Sequence, residues 1–128
     1  MKSTDLRIGN LVKTNVGQIA SIFEIRENQC RIKQDDGHIA FIDYERLTPI
    51  SLTEELLLQI GAIKLGLKPF PSFNLYTMQI NFIDGVWLDY VTRVEIKGLH
   101  HLQNIFYFAK DKELDLTILK NKTNEKPT

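Results

Sequence analysis

The chain has 128 residues, 43% hydrophobic and 25% charged, with three histidines and a single cysteine. That length suits one domain or two small lobes, and the composition is that of a chain able to bury a core without disulfide or metal staples. Sixteen basic residues meet sixteen acidic ones, and the halves on either side of Ile50 are each balanced, which argues against non-specific binding to a polyanion.

Residues 1–50 predict a β lobe. Strands are expected at "NLVKT" (10–14), "QIASIFEI" (18–25), "CRIKQ" (30–34) and "HIAFID" (38–43), parted by "NVG", "ENQ" and "DDG". Turn signals recurring every eight to ten residues or so favour a small barrel or sandwich. Cys30 alternates with Ile32 and reads as core. Asp35 and Asp36 read as turn residues rather than a metal or acid pair, because Asp accepts local backbone hydrogen bonds and the glycine after them supplies positive φ. "YERLTPI" closes the lobe, with Pro49 limiting its last strand to an edge or an end.

Residues 51–119 predict a helix–hairpin–helix–strand lobe. In "SLTEELLLQIGA" (51–62), Thr53 is the expected N-cap, Leu52 staples against Leu57, and Gly61 ends the helix. The segment 62–75 begins as a short strand and continues as a loop around Pro69 and Pro71. "YTMQINFIDGVWLDYVTRVEI" (76–96) is a hairpin for which two turns compete. A two-residue Asp84-Gly85 turn pairs Phe82 with Trp87 and puts Asp89 among apolar side chains. A three-residue Ile83-Asp84-Gly85 loop pairs Phe82 with Val86, Ile80 with Leu88 and Met78 with Tyr90, leaving Trp87 and Asp89 on the polar face with Gln79 and Asn81; this register is the expected one. A second helix is expected at 99–110, a strand at "ELDLTIL" (113–119), and a disordered tail at 120–128.

"LHHLQN" (99–104) sets two histidines before two carboxamides. Helical neighbours point about 100° apart, so His100 and His101 do not share a target as residues three or four apart do. No third ligand stands at a zinc-like spacing, and no metal or cofactor is implied. With Leu99, Leu102, Phe106 and Ala109 as the inner stripe, His100, Gln103, Asn104 and Tyr107 fall on the outer face and form a candidate strip for binding a partner, with His101 on the border. A small hydrolase using His100 or His101 ranks last, since no nucleophile elbow accompanies them.

The strand spacing of the first lobe resembles SH3-like small barrels, including KOW and Tudor modules. "LRIGN" (6–10), "LTPISLTEELLLQIGA" (47–62) and "LHHLQNIFYFAKDKEL" (99–114) resemble three signatures of an uncharacterised bacterial family of phage or mobile-element type. In that family a segment ending near "EPIPLTEE" leads into the first helix, and a stretch close to "HxLQNLYFALTGEEL" forms the second. The resemblance implies no activity. Where the family pattern has Leu-Thr-Gly this chain has Ala109, Lys110 and Asp111, so the glycine that would stop the helix is missing.

The expected architecture is therefore α+β, an SH3-like β lobe followed by a helix, an antiparallel hairpin sheet and a helix packed on it. The expected function is a non-enzymatic interaction module whose partner is another protein or a second copy of the chain. A nucleic-acid reading is the alternative, carried by Arg26, Arg31 and Lys33 near Phe23 and Phe41, with Glu24 and Glu27 interleaved. A lone cysteine, a start "MKSTDLRIGN" without an apolar stretch, and no long apolar run fit a cytoplasmic protein with no membrane partner.

Overall fold

Alternating apolar residues in the first fifty positions fold as five antiparallel strands: β1 (Leu11–Thr14), β2 (Ile19–Ile25), β3 (Gln29–Gln34), β4 (Ile39–Asp43) and β5 (Leu47–Thr48). The computed structural model describes residues 1–66 and 69–119; the tail expected at 120–128 lies outside these. The strands form one curled, half-barrel sheet in the order β4-β3-β2-β1-β5, with a short 3-10 turn, Tyr44–Arg46, before the last strand. One face of it closes over Val12, Ala20, Ile22, Cys30, Ile32, Tyr44 and Leu47, with Leu6 beneath. Cys30 is fully buried and desolvation pushes its thiol pKa up, so it is a packing residue. The "DDG" turn is a turn: the His38 N–H donates to Asp36 Oδ1 at 2.9 Å.

The second part contains α1 (Glu54–Gln59), strands β6 (Ile63–Leu65), β7 (Ser72–Leu75), β8 (Met78–Ile83) and β9 (Val86–Asp89), and α2 (Leu99–Lys110). Thr53 caps α1, its side chain accepting from the Leu56 N–H at 3.0 Å. The four strands form a second antiparallel sheet in chain order. Residues 72–75, expected as loop, are a strand: Pro71 stands just before it, where its missing N–H costs no ladder bond.

The hairpin register differs from the expected one. Ile83 pairs with Val86, Phe82 with Trp87 and Ile80 with Asp89, across a two-residue turn with both Asp84 (φ 51°) and Gly85 (φ 81°) left-handed. Asp-Gly satisfies that type I′ demand, whose twist matches the strands it joins. The objection to this register was a buried Asp89, and Asp89 is indeed only 4% exposed. Its carboxylate is satisfied locally, accepting from the Thr92 hydroxyl at 2.7 Å and the Thr92 N–H at 3.4 Å. A buried polar group with such partners carries little penalty. Trp87 consequently faces the core, 4.6 Å from the Phe82 ring and 5.6 Å from Phe73, with Nε1 donating to the Leu52 carbonyl.

The strand expected at 113–119 is absent. Leu114, Leu116 and Leu119 are buried, yet residues 113–116 pair with no strand and 117–119 are helical. The Asp115 carboxylate accepts from the Thr117 N–H and hydroxyl, which holds it below its ordinary range and starts that turn. Alternation reports which side chains are buried, not whether the backbone has a neighbour to pair with.

One core unites the second part: Leu52, Leu57 and Ile60, the inner face of the second sheet at Phe73, Leu75, Met78 and Ile80, and Leu99, Leu102 and Phe106 of α2. Leu11 of β1 belongs to it too, with Ile19 packed against it. Successive β1 residues thus feed different cores, Val12 the first and Leu11 the second. No helix among the described residues is long and apolar enough to cross a membrane.

Without the family's glycine, α2 ends where expected because Asp111 takes the left-handed position itself, at φ 55° and ψ 35°, its N–H donating to the Tyr107 carbonyl at 2.8 Å. Asp tolerates this conformation better than most residues but still less well than glycine. Asp111→Gly should therefore raise stability by about 0.5 to 1 kcal/mol in thermal or urea unfolding, and a loss of stability would contradict this account of the helix end.

Candidate functional site

The helix carrying the two histidines starts without a side-chain N-cap. Gly98 stands at that position because a Cβ there would lie 2.8 Å from Pro49 Cβ. Two of the donors around the helix start instead find partners nearby: the Leu99 N–H reaches the Ile50 carbonyl at 2.8 Å, and the Lys97 N–H donates to His101 Nδ1 at 3.1 Å. His101 therefore ties the residue before the N-cap to the first turn, accepting with an unprotonated nitrogen.

His100 was expected on the outer face and is only 5% exposed. Its Nδ1 is buried without a hydrogen-bond partner. Desolvation, with His101 close by, lowers its pKa from the ordinary 6.5 to about 4, and burial lowers that of His101 as well. Both rings are neutral at pH 7. They lie 6.4 Å apart beside an open recess of about 430 Å³ that Asp5, Pro49 and Lys97 also line. Neither imidazole is hydrogen-bonded to a carboxylate, hydroxyl or thiol among the described residues, and no group of three His, Cys, Asp or Glu there could hold a metal ion. The arrangement has the features of a packed helix start, with no base–nucleophile pair.

Gln103 and Asn104 also turn inward. Gln103 is 3% exposed, and its amide grips the backbone at β1: Oε1 accepts from the Leu11 N–H at 2.7 Å and Nε2 donates to the Gly9 carbonyl at 3.2 Å. Asn104 Oδ1 accepts from Asn10 Nδ2 at 2.8 Å and from Arg7 Nε at 3.2 Å. The Arg7 guanidinium pairs with Glu113, which raises its pKa, and lies 4.3 Å from the centre of the Tyr107 ring. Gln103 and Asn104 are thus engaged by the chain's own N-terminal segment, His100 is buried, and Tyr107 stays at the surface under Arg7 at 36% exposure. Sequence reasoning missed Arg7 and Asn10. The available signal was that "LRIGN" and "LHHLQN" stood out together; they meet in space.

The other candidate cluster does assemble on the surface. On the outer face of β2, β3 and β4, Phe23 is 44% and Phe41 52% exposed. A bulge between Ile22 and Glu24 re-aims the strand at Phe23. Arg31 lies 5.2 Å from the Phe23 ring centre and 5.5 Å from that of Phe41, and Arg26 lies 5.0 Å from Phe41. Glu24 bonds both guanidiniums, which holds its carboxyl below the usual range. Lys33 is on the same face, paired with Ile39.

Two predictions test the helix contacts. Gln103→Leu keeps the volume but strands the buried Leu11 N–H and removes the bond to the exposed Gly9, and should cost about 1 to 3 kcal/mol in urea unfolding; a loss under about 0.5 kcal/mol would contradict the clasp. For the histidines, the unfolded chain takes up protons near pH 6.5 while folded His100 does so only near 4. Stability is then full above pH 6.5 and declines as pH falls toward 4. The expected loss from pH 7 to 5 is roughly 1 to 2 kcal/mol, reduced for the ring's proximity to the recess. His100→Asn should flatten this decline, and equal wild-type stability at pH 7 and pH 5 would contradict it.

No family model matches the chain, no curated protein is similar to it, and no solved structure matches it.

Proposed function

We propose that the protein is a non-enzymatic binding module that docks another protein on the outer face of β2–β4. The observation that carries this is the pair of half-exposed phenylalanines, Phe23 and Phe41, interleaved with Arg26 and Arg31. Aromatic and Arg side chains held in place are the composition of interface hot spots. Glu24 already neutralises much of the arginine charge. The patch therefore suits a partner surface with apolar side chains and a carboxylate that competes with Glu24 better than it suits a run of phosphates.

The sheet order and the 3-10 turn before β5 support assigning the lobe to the SH3-like small barrels. The resemblance of "LRIGN" and "LHHLQN" to signatures of phage and mobile-element proteins supports an accessory role in such an element, in the cytoplasm. The alternative, single-stranded nucleic acid stacking on Phe23 and Phe41 with Arg26, Arg31 and Lys33 on its backbone, draws on the same residues.

Fluorescent single-stranded oligonucleotides at low salt separate the two. The protein reading expects no binding, together with a captured partner that is lost on Phe23→Ala or Arg31→Ala and kept on Phe108→Ala, a change at an exposed position of α2. Oligonucleotide binding that weakens steeply with added salt would instead establish the alternative.

A further inference from the structure

The two ends of the half-barrel sheet differ. One is β5, two residues long; the other is β4, five residues paired to β3 on one side only. The hairpin joining β3 and β4 fixes which backbone groups of β4 are free. The Gln34 N–H donates to the His38 carbonyl at 2.8 Å, and hydrogen-bonded pairs alternate along an antiparallel ladder. Ala40 and Ile42 therefore turn their backbone groups toward β3, and Ile39, Phe41 and Asp43 turn theirs outward. Among the described residues nothing bonds those outward groups except the Asp43 carbonyl, which accepts from the Arg46 N–H in the 3-10 turn. Folded proteins usually guard such an edge with Lys, Pro or a bulge. This one reads Ile-Ala-Phe-Ile-Asp, with Ile39 37% and Phe41 52% exposed.

We infer that β4 is a self-association strand: two copies pair antiparallel about a two-fold axis at Phe41, joining their half-barrels into one continuous sheet. The sequence is self-complementary in that register. Phe41 meets the second copy's Phe41, and the pair exchanges both backbone bonds; Ile39 meets the copy's Asp43, whose N–H donates to the Ile39 carbonyl, for about four backbone hydrogen bonds in all. On the inner face Ala40 meets the copy's Ile42. On the outer face the two phenylalanines stack between the Arg31 side chains of both copies, each balanced by its own Glu24. Lys33, beside Ile39, is then one strand away from the copy's Asp43. No like charges oppose each other, and a net charge of zero adds no long-range repulsion. This association rests on the backbone edge and not on the docking face, although Phe41 contributes to both.

Sedimentation velocity over a concentration series should show mass rising from 14.8 kDa toward twice that value. Phe41→Lys sets two ammonium groups opposite each other and should weaken association at least tenfold. Phe23→Ala, on the face but off the edge, should leave it unchanged while abolishing protein docking. Amide exchange on the unaltered chain provides a readout independent of folding defects: the Phe41 and Asp43 amides should gain protection as concentration rises, and the Ala40 amide should not depend on it. A monomer at every concentration, or a dimer in which the Phe41 amide exchanges as fast as in dilute solution, would overturn the inference.

Discussion

The Gln103 carboxamide makes a buried polar contact between the two halves of this protein. Gln103 reaches from α2 to the backbone at the start of β1 and gives it one acceptor and one donor, as a neighbouring strand would. Leu11, whose N–H it takes, is 1% exposed and has its side chain in the core beneath α2. Away from water, an unpaired Leu11 amide would cost far more than the net gain of an ordinary surface hydrogen bond. The position of α2 is therefore specified by polar geometry as well as by apolar burial.

The rest of the structure is organised around that contact. β1 is shared, with Val12 in the barrel core and Leu11 in the second core. The N-terminal segment before it is held against α2 by Asn10, Arg7 and Asn104, and the Arg7 guanidinium covers Tyr107. The partly exposed Arg7–Glu113 pair adds orientation more than stability. The helix that seemed from its polarity to offer a recognition strip is therefore sandwiched, with apolar residues on the second sheet and amides on the first. The β2–β4 face carries the exposed aromatic side chains Phe23 and Phe41, and β4 is an edge strand.

What could be read from the sequence follows from what side-chain patterns report. The first four strands, the Thr53 cap and the span of α2 were legible because turn chemistry, capping and period act locally. Three features were not. The hairpin register depended on whether a buried Asp89 is tolerable, and its satisfaction by Thr92 is a local contact that alternation does not reveal. The absent strand at 113–119 has the burial of a strand but no edge to join. The inward turn of His100, Gln103 and Asn104 was hidden because polar residues are scored as solvent-facing, while these amides were matched to backbone groups some ninety residues away. The aromatic–arginine cluster lay between: its members were visible in the sequence, but their stacking and their sharing of Glu24 depend on the bulge and the cross-strand register.

The most direct test of the central claim is native-state exchange of the Leu11 amide as a function of denaturant. If Gln103 locks the two parts into one cooperative unit, that proton exchanges only through global unfolding, with the stability and denaturant slope of the slowest core amides. Exchange at a distinctly lower free energy with a shallow slope would mean that α2 and β1 separate while each core stays folded, contradicting the account.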